Sequence, residues 1–244
     1  MNLVLSEEQE MLKKAARDLL EERCPKSFVK QMEQDDKGYS PELWEEMANL
    51  GWIGLVFPEE YSGSGMSFLD LSVLLEEMGR ACLPAPFFST LVLSGLSILD
   101  IGSEEQKRQY LPEIASGKAI FSLALIEPEL GHEPKAIAVE ASPDGNAYVV
   151  NGTKLFVPYA NIADCLLCVA RTSKQEQGIT IFLVDAKSPG IKYTTLETMA
   201  HDKLCEVVFD QVRVPKENIL GQLDKGWPEV EKLVKRSNVA KCCE

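Results

Sequence analysis

Cys165 and Cys168 stand three apart, the spacing of a metal-binding or redox CxxC pair. They lie in an apolar run, Cys165 to Ala170, that reads as a strand, where residues three apart point to opposite faces. No second Cys or His pair stands near them in the sequence. Two small buried residues is therefore the better reading. Cys242-Cys243 has no sequence partner and reads as part of a helix. His201 beside Asp202 could move protons, but it stands in an expected loop and reads as a solvated residue there. Ser62-Gly63-Ser64-Gly65 is glycine-rich, yet it follows no expected strand and lacks the Lys-Ser/Thr of a phosphate loop. Glu127-Pro128 reads as a turn. From spacing alone, no nucleophile–base pair, metal cluster or nucleotide fingerprint emerges.

These residues hang on two kinds of element. In the first half, Ser6-Glu7-Glu8-Gln9 has the form of a capping box. The stripe Met11, Leu12, Ala15, Ala16, Leu19, Leu20 predicts an amphipathic helix ending near Arg23, closed by Cys24-Pro25. Ser40-Pro41 starts a second helix expected to bury Leu43, Trp44, Met47 and Leu50, with Gly51 placed to end it. A loop over 57–65 precedes a helix from Phe68 to Ala81, broken by Pro84 and Pro86. A further helix covers Phe88 to Leu99. A last capping box, Ser103-Glu104-Glu105-Gln106, opens a helix that stops at Gly117.

From Ala119 the period changes to that of strands. They are expected at Ile120–Leu125, Ile137–Ala141, Cys165–Ala170, Ile179–Val184, Ile191–Thr195 and Glu206–Val214. Asp144-Gly145 is a turn signal. Asn151-Gly152, between Tyr148-Val149-Val150 and Lys154–Val157, predicts a tight hairpin. The spacing of turns suits an antiparallel barrel or sandwich. After Gly221 a helical pattern resumes and runs to Glu244 without a C-cap. The fold class expected is α+β: an all-helical domain over 1–118, a small antiparallel β-barrel domain over 119–222, and over 223–244 the start of a further helix.

The 244 residues carry a net charge of −13, which argues against nucleic acid as the main partner. Residues 1–118 hold 21 acids against 11 bases and residues 119–244 hold 17 against 14, so the two parts differ in character. No apolar run reaches the roughly 18 residues of a membrane span. The N-terminus lacks the basic n-region of a secretory signal. Seven scattered cysteines, an odd number, fit a reduced cytoplasmic setting.

Six motifs, in order, resemble the acyl-CoA dehydrogenase family. They are Pro58-Glu59-Glu60-Tyr61-Ser62-Gly63-Ser64-Gly65; the helix with Glu76-Glu77-Met78-Gly79-Arg80; and Gly102-Ser103-Glu104-Glu105-Gln106-Lys107 with Tyr110-Leu111-Pro112. After these come the segment Ala124 to Gly131, then Val150-Asn151-Gly152-Thr153-Lys154. The last is Phe209-Asp210-Gln211-Val212-Arg213-Val214-Pro215 with Asn218-Ile219-Leu220-Gly221. The resemblance implies a helical domain, a β domain and a third domain of helices. It also implies FAD as cofactor, acyl-CoA as substrate and an electron-transfer flavoprotein as electron acceptor, with homo- or hetero-oligomers formed through the third domain. The family's catalytic base is a carboxylate of that third domain, so no catalytic residue is expected within 1–244.

By position, the resemblance puts Leu123, Leu125, Ile126, Gly131, His132, Phe156, Val157 and Pro158 at the flavin, with His132 also at the acyl-CoA. Several depart from the family pattern. A Thr that bonds the flavin ring is Ile126 here, the Ser that bonds the substrate is His132, and the next Asp is Glu133. The W-I-T segment is Phe156-Val157-Pro158. Phe can still pack, but Pro158 has no N–H. Losing two hydrogen bonds would weaken flavin binding by about 1–3 kcal/mol each. Two readings follow: an enzyme whose flavin is held by other contacts, or a flavin-free partner subunit of a heteromer.

Overall fold

The computed structural model describes residues 4–129, 131, 133–175 and 177–244. Helices come first. Helix α1 (Glu7–Arg23) begins in the expected capping box: the Ser6 hydroxyl accepts from the Gln9 amide, and the Gln9 side chain accepts from the Ser6 amide. A short helix that the periodicity did not suggest, α2 (Lys26–Gln34), follows Pro25 with no side-chain cap. Helix α3 (Pro41–Asn49) has Ser40 as cap and Pro41 in its first turn. Helix α4 (Phe68–Arg80) starts in a capping box formed by Ser67 and Asp70.

The expected helix over 88–99 is instead wound in two ways, as a π-helix over Phe88–Gly95 and then as α5 (Leu96–Ile101). The wider turns bring Thr90 against the first strand, where its hydroxyl donates to the Phe121 carbonyl and accepts from the Phe121 amide, both at 3.2 Å. Helix α6 (Glu104–Ala115) begins in the capping box at Ser103. A charged lock joins α1 to α4. The Glu77 side chain is fully buried and takes Arg17 at 2.7 Å and Arg80 at 2.8 Å, while both arginines stay half-exposed. The Arg17 hydrogen bonds, then those from Arg80, hold the Glu77 carboxyl below the usual range against the opposing effect of burial.

Eight strands follow: β1 (Phe121–Ala124), β2 (Glu140–Asp144), β3 (Ala147–Pro158), β4 (Cys165–Arg171), β5 (Ile179–Asp185), β6 (Ile191–Thr195), β7 (Leu204–Pro215) and β8 (Ile219–Leu220). They form one sheet in the order β6-β7-β3-β2-β4-β5-β8, with β1 beside β4. The expected closed antiparallel barrel is corrected here. β1 and β2 both run parallel to β4, so the sheet is mixed, and β6 and β8 remain its two ends. A barrel needs those ends paired. The sheet instead curls over itself, with Tyr148 of β3 against Phe182 of β5 at 5.3 Å between ring centroids.

The expected hairpin at Asn151-Gly152 is also corrected. Both residues lie inside the continuous strand β3, at a register shift against β7 where Val150 faces Val212 and Gly152 faces Phe209. The extra residue sits on β7, at a bulge where Gln211 has φ +54° and donates to the Asn151 side chain from both its amide and its own side chain. Gly152 has φ +135°, and a Cβ there would lie 2.8 Å from a Val139 methyl. Glycine is thus kept by a close approach and a backbone conformation, not by a turn. The true hairpin follows Asp144, which pairs with Ala147. The alternation at Ile137–Ala141 becomes strand only from Glu140.

Two cores share the sheet as partition. Cys165, Leu167 and Val169 of β4 join the helices' core, whereas Leu166, Cys168 and Ala170 face the core inside the curl. The CxxC pair is therefore split between layers, as strand alternation requires. Helix α7 (Trp227–Cys243) closes the chain, packed against α4 and the π-wound segment.

Candidate functional site

An apolar cleft of about 410 Å³ lies where the sheet, the π-wound segment and α7 meet. One wall comes from Leu123 at the end of β1 and from Leu125, Ile126, Gly131 and Ile137 in the segment that follows. A second wall is the end of β3, with Leu155, Phe156 and Pro158. Leu93 and the α7 residues Trp227, Val230 and Val234 face them. Ile126 and Phe156 are 38% and 40% exposed, large apolar side chains left open at one place. Glu231 brings a carboxylate to the rim, and the Trp227 indole N–H donates to it at 3.2 Å.

The geometry of the first wall follows from strand pairing. β1 leaves β4 at Ala124, opposite Cys168, and β2 joins it at Glu140, opposite Arg171. Residues 125–139 are thus an excursion out of one strand line, whose two ends come back almost together. Its neck is closed by Glu127, a buried residue whose carboxylate accepts from the Ala138 amide at 2.7 Å and the Val139 amide at 3.1 Å. Lys154 of β3 is fully buried and donates to Glu127 at 2.6 Å and to the Leu125 carbonyl at 3.1 Å. Burial pushes the Lys154 ammonium below the usual lysine range, opposed by nearby Cys168 and by Glu127. Arg171 donates to the carbonyls of Pro134 and Ile137 at the far side of the excursion.

The second wall depends on an irregularity in β3. Lys154 faces Val207 and Val157 faces Cys205, so β3 carries one residue more than β7 between these pairs. Phe156 sits at this bulge with φ +53°, a conformation a non-glycine side chain rarely adopts. The bulge turns Phe156 into the cleft, while Val157 is buried in the core inside the curl. The Leu155 amide donates to the Ile126 carbonyl at 2.8 Å and ties the two walls together.

Of the residues read as flavin neighbours, Leu123, Leu125, Ile126, Gly131, Phe156 and Pro158 come together in this cleft. Val157 faces away from it. His132 lies outside the described residues. Sequence reading took Glu127-Pro128 for a turn and Lys154 for part of a hairpin. It missed the buried pair because the two residues lie far apart in the chain and neither has a local reason to be buried. His201 lies in an exposed loop, and the described residues hold no group of three or more metal-ligating side chains. Among the described residues no helix is long and apolar enough to cross a membrane.

The wall residues suit the faces of a flat ring or an acyl chain. Leu125, Ile126, Phe156 and Pro158 supply apolar contact surface. They supply no side-chain donor for the polar edge of a ring, and the Leu125 and Ile126 carbonyls are already engaged by Lys154 and Leu155.

Fold and cleft together define an α+β protein with a largely apolar cleft between a helical part and a curled sheet. Residues 6–118 match the acyl-CoA dehydrogenase N-terminal domain, and residues 122–212 match the acyl-CoA dehydrogenase middle domain. The chain belongs to the acyl-CoA dehydrogenase family. It is 34% identical over 233 residues to the mitochondrial isovaleryl-CoA dehydrogenase of Pongo abelii, covering 91% of this chain and 55% of that protein. The chain thus spans about half the length of that curated relative. It superimposes on a glutaryl-coenzyme A dehydrogenase–glutaryl-CoA complex with a TM-score of 0.90 and 30% identity, covering 100% of this chain and 64% of the other. A chain of the ChsE4–ChsE5 complex from Mycobacterium tuberculosis gives 0.82 and 28%, over 97% of this chain and 61% of that one.

Proposed function

We propose that this chain forms the helical and β domains, 1–118 and 119–222, of an FAD-dependent acyl-CoA dehydrogenase, with 223–244 opening its third domain. The reaction is α,β-dehydrogenation of an acyl-CoA thioester, with electrons passed on to an electron-transfer flavoprotein. The observation that carries this reading is the convergence of Leu123, Leu125, Ile126, Gly131, Phe156 and Pro158 on one apolar cleft in a chain of this family. When bound, the flavin supplies the hydride acceptor. Phe156, Leu125, Ile126 and Pro158 pack against its ring, and His132 contacts the acyl-CoA. The apolar side chains of α7 exclude water from the acyl group. An α C–H is too weak an acid for a carboxylate unless the thioester carbonyl is polarised, so a donor must meet that carbonyl. The wall residues Leu125, Ile126, Phe156 and Pro158 offer none from their side chains, while Lys235, Ser237 and Asn238 of α7 line the same cleft.

This reading assigns the catalytic base outside residues 1–244 and predicts little turnover by this chain alone. Glu231, the carboxylate at the cleft rim, is the internal control. Glu231→Gln leaves the turnover of the longer protein intact, and abolition of turnover would move the base to Glu231. A cytoplasmic setting and assembly with like or unlike subunits belong to the same reading.

A second reading has specific support. Ile126 and Pro158 stand where side chains would donate to the flavin, and neither can donate. A relative named above is solved as a complex of two differently named chains. On this reading the protein is a flavin-free partner subunit in a heteromer. A visible absorption spectrum after addition of excess FAD decides between them, taken on residues 1–244 and on the protein through its natural C-terminus. A flavin spectrum in the longer protein supports the enzyme. No flavin in either supports the partner subunit.

A further inference from the structure

We infer that Lys154 is a positioning residue for the cleft, acting directly on one end of the excursion that forms its first wall and through Glu127 on the other. The inference rests on the ligand-binding cleft of the preceding reading but not on its flavin. Lys154 does not line the cleft. Its ammonium holds the Leu125 carbonyl and the Glu127 carboxylate, and Glu127 holds the Ala138 and Val139 amides. The first contact fixes the backbone that presents Leu125 and Ile126. The second fixes the backbone next to Ile137, which lines the same wall. One buried charge therefore sets the separation of the two ends of a loop. The next residue, Leu155, ties the second wall to the first through the Ile126 carbonyl.

Apolar residues would fill this space at no desolvation cost, and a buried ion pair is weak support for stability. What the pair adds is geometry. The ammonium has donors for a carbonyl and a carboxylate at once, and the carboxylate has acceptors for two amides and a cation. An apolar pair would leave Leu125 O and the Ala138 and Val139 amides free to separate.

The test is amide hydrogen exchange on residues 1–244 of the parent, Lys154→Met, and Leu20→Ala as a variant destabilised in α1, away from the cleft. Exchange is compared at denaturant concentrations that equalise global stability. In Lys154→Met the amides of Ala138, Val139 and Leu155, none of which bonds Lys154, should exchange at least tenfold faster. The β4–β5 ladder amides should keep their protection. In Leu20→Ala the Ala138, Val139 and Leu155 amides should stay protected. Equal protection of these three in Lys154→Met and Leu20→Ala overturns the inference and leaves Lys154 a stabilising residue only.

If Lys154→Met does not fold, the neutral pair Glu127→Gln with Lys154→Met replaces it. There the Leu155 amide alone is read, because Gln can still accept from Ala138 and Val139, and parent-like protection overturns the inference. Titration of the parent with octanoyl-CoA runs beside it. Absence of binding there counts against the acyl-CoA reading, while the exchange comparison still decides the role of Lys154.

Discussion

Glu77 and Glu127 are both carboxylates taken out of water, but their partners differ. Glu77 lies between α1 and α4 and meets two arginines that remain half-exposed. Glu127 meets a lysine that is wholly buried. In the helical part, water still solvates the cations and can relax around them if the carboxylate is lost. In the sheet, removal of either partner strands a charge in a sealed interior. The helical lock thus behaves as a strong surface interaction, whereas the sheet pair links stability to the shape of a ligand cleft.

The sharpest way to break this contrast is Lys154→Met. It should cost about 3–5 kcal/mol, the range for orphaning one member of a buried pair, read from urea midpoints. A loss no larger than that of Glu77→Gln would abolish the distinction. Glu77→Gln should cost less, about 2–3 kcal/mol, since the arginines can be hydrated. Its pH dependence sharpens the point. The Glu77 carboxyl lies below its ordinary range when folded, so its contribution is complete above the unfolded value of about 4.3 and fades as pH falls through the folded one. The gap between parent and Glu77→Gln should begin to narrow as pH falls below about 4.3 and close as it passes the lower folded value.

Smaller effects probe the backbone around the cleft. Gly152→Ala should cost about 1–3 kcal/mol through its positive φ and the contact with Val139. Ser103→Ala, which removes a cap in the helical part, should cost about 1 kcal/mol and leave cleft binding untouched. Phe156→Gly relieves a left-handed φ at the expense of apolar contact, so stability should stay within about 1 kcal/mol of the parent. Affinity for octanoyl-CoA should nevertheless fall.

Legibility in the sequence followed the same division. Helices α1, α3 and α6 were readable because a cap, a stripe and a stop lie within a few residues of one another. Helix α2 was not, because it is short and Pro25 at its start offers no side-chain cap. In the sheet, β4 and β5 were readable as apolar runs. Strand β1 was readable as well, but its parallel pairing with β4 was not, since that is decided across 44 residues of chain. Asn151-Gly152 misled because the same glycine conformation that permits a turn also permits a close approach inside a strand. The cleft's apolar residues were found by motif position, while the pair that aligns them was invisible to any local window.

The Thr90 hydroxyl has a consequence for solubility. It engages the Phe121 amide and carbonyl at the start of β1, where among the described residues β1 has ladder pairing with β4 alone. A free edge of this kind is a template on which another chain can add as a strand. Here a side chain from a helical segment occupies it, so the joint between the two parts also acts as a cover. Loosening that joint, by heat or by Thr90→Val, would bare a hydrogen-bonding edge flanked by apolar residues. Aggregation of the folded chain should then begin at β1, before either core has melted.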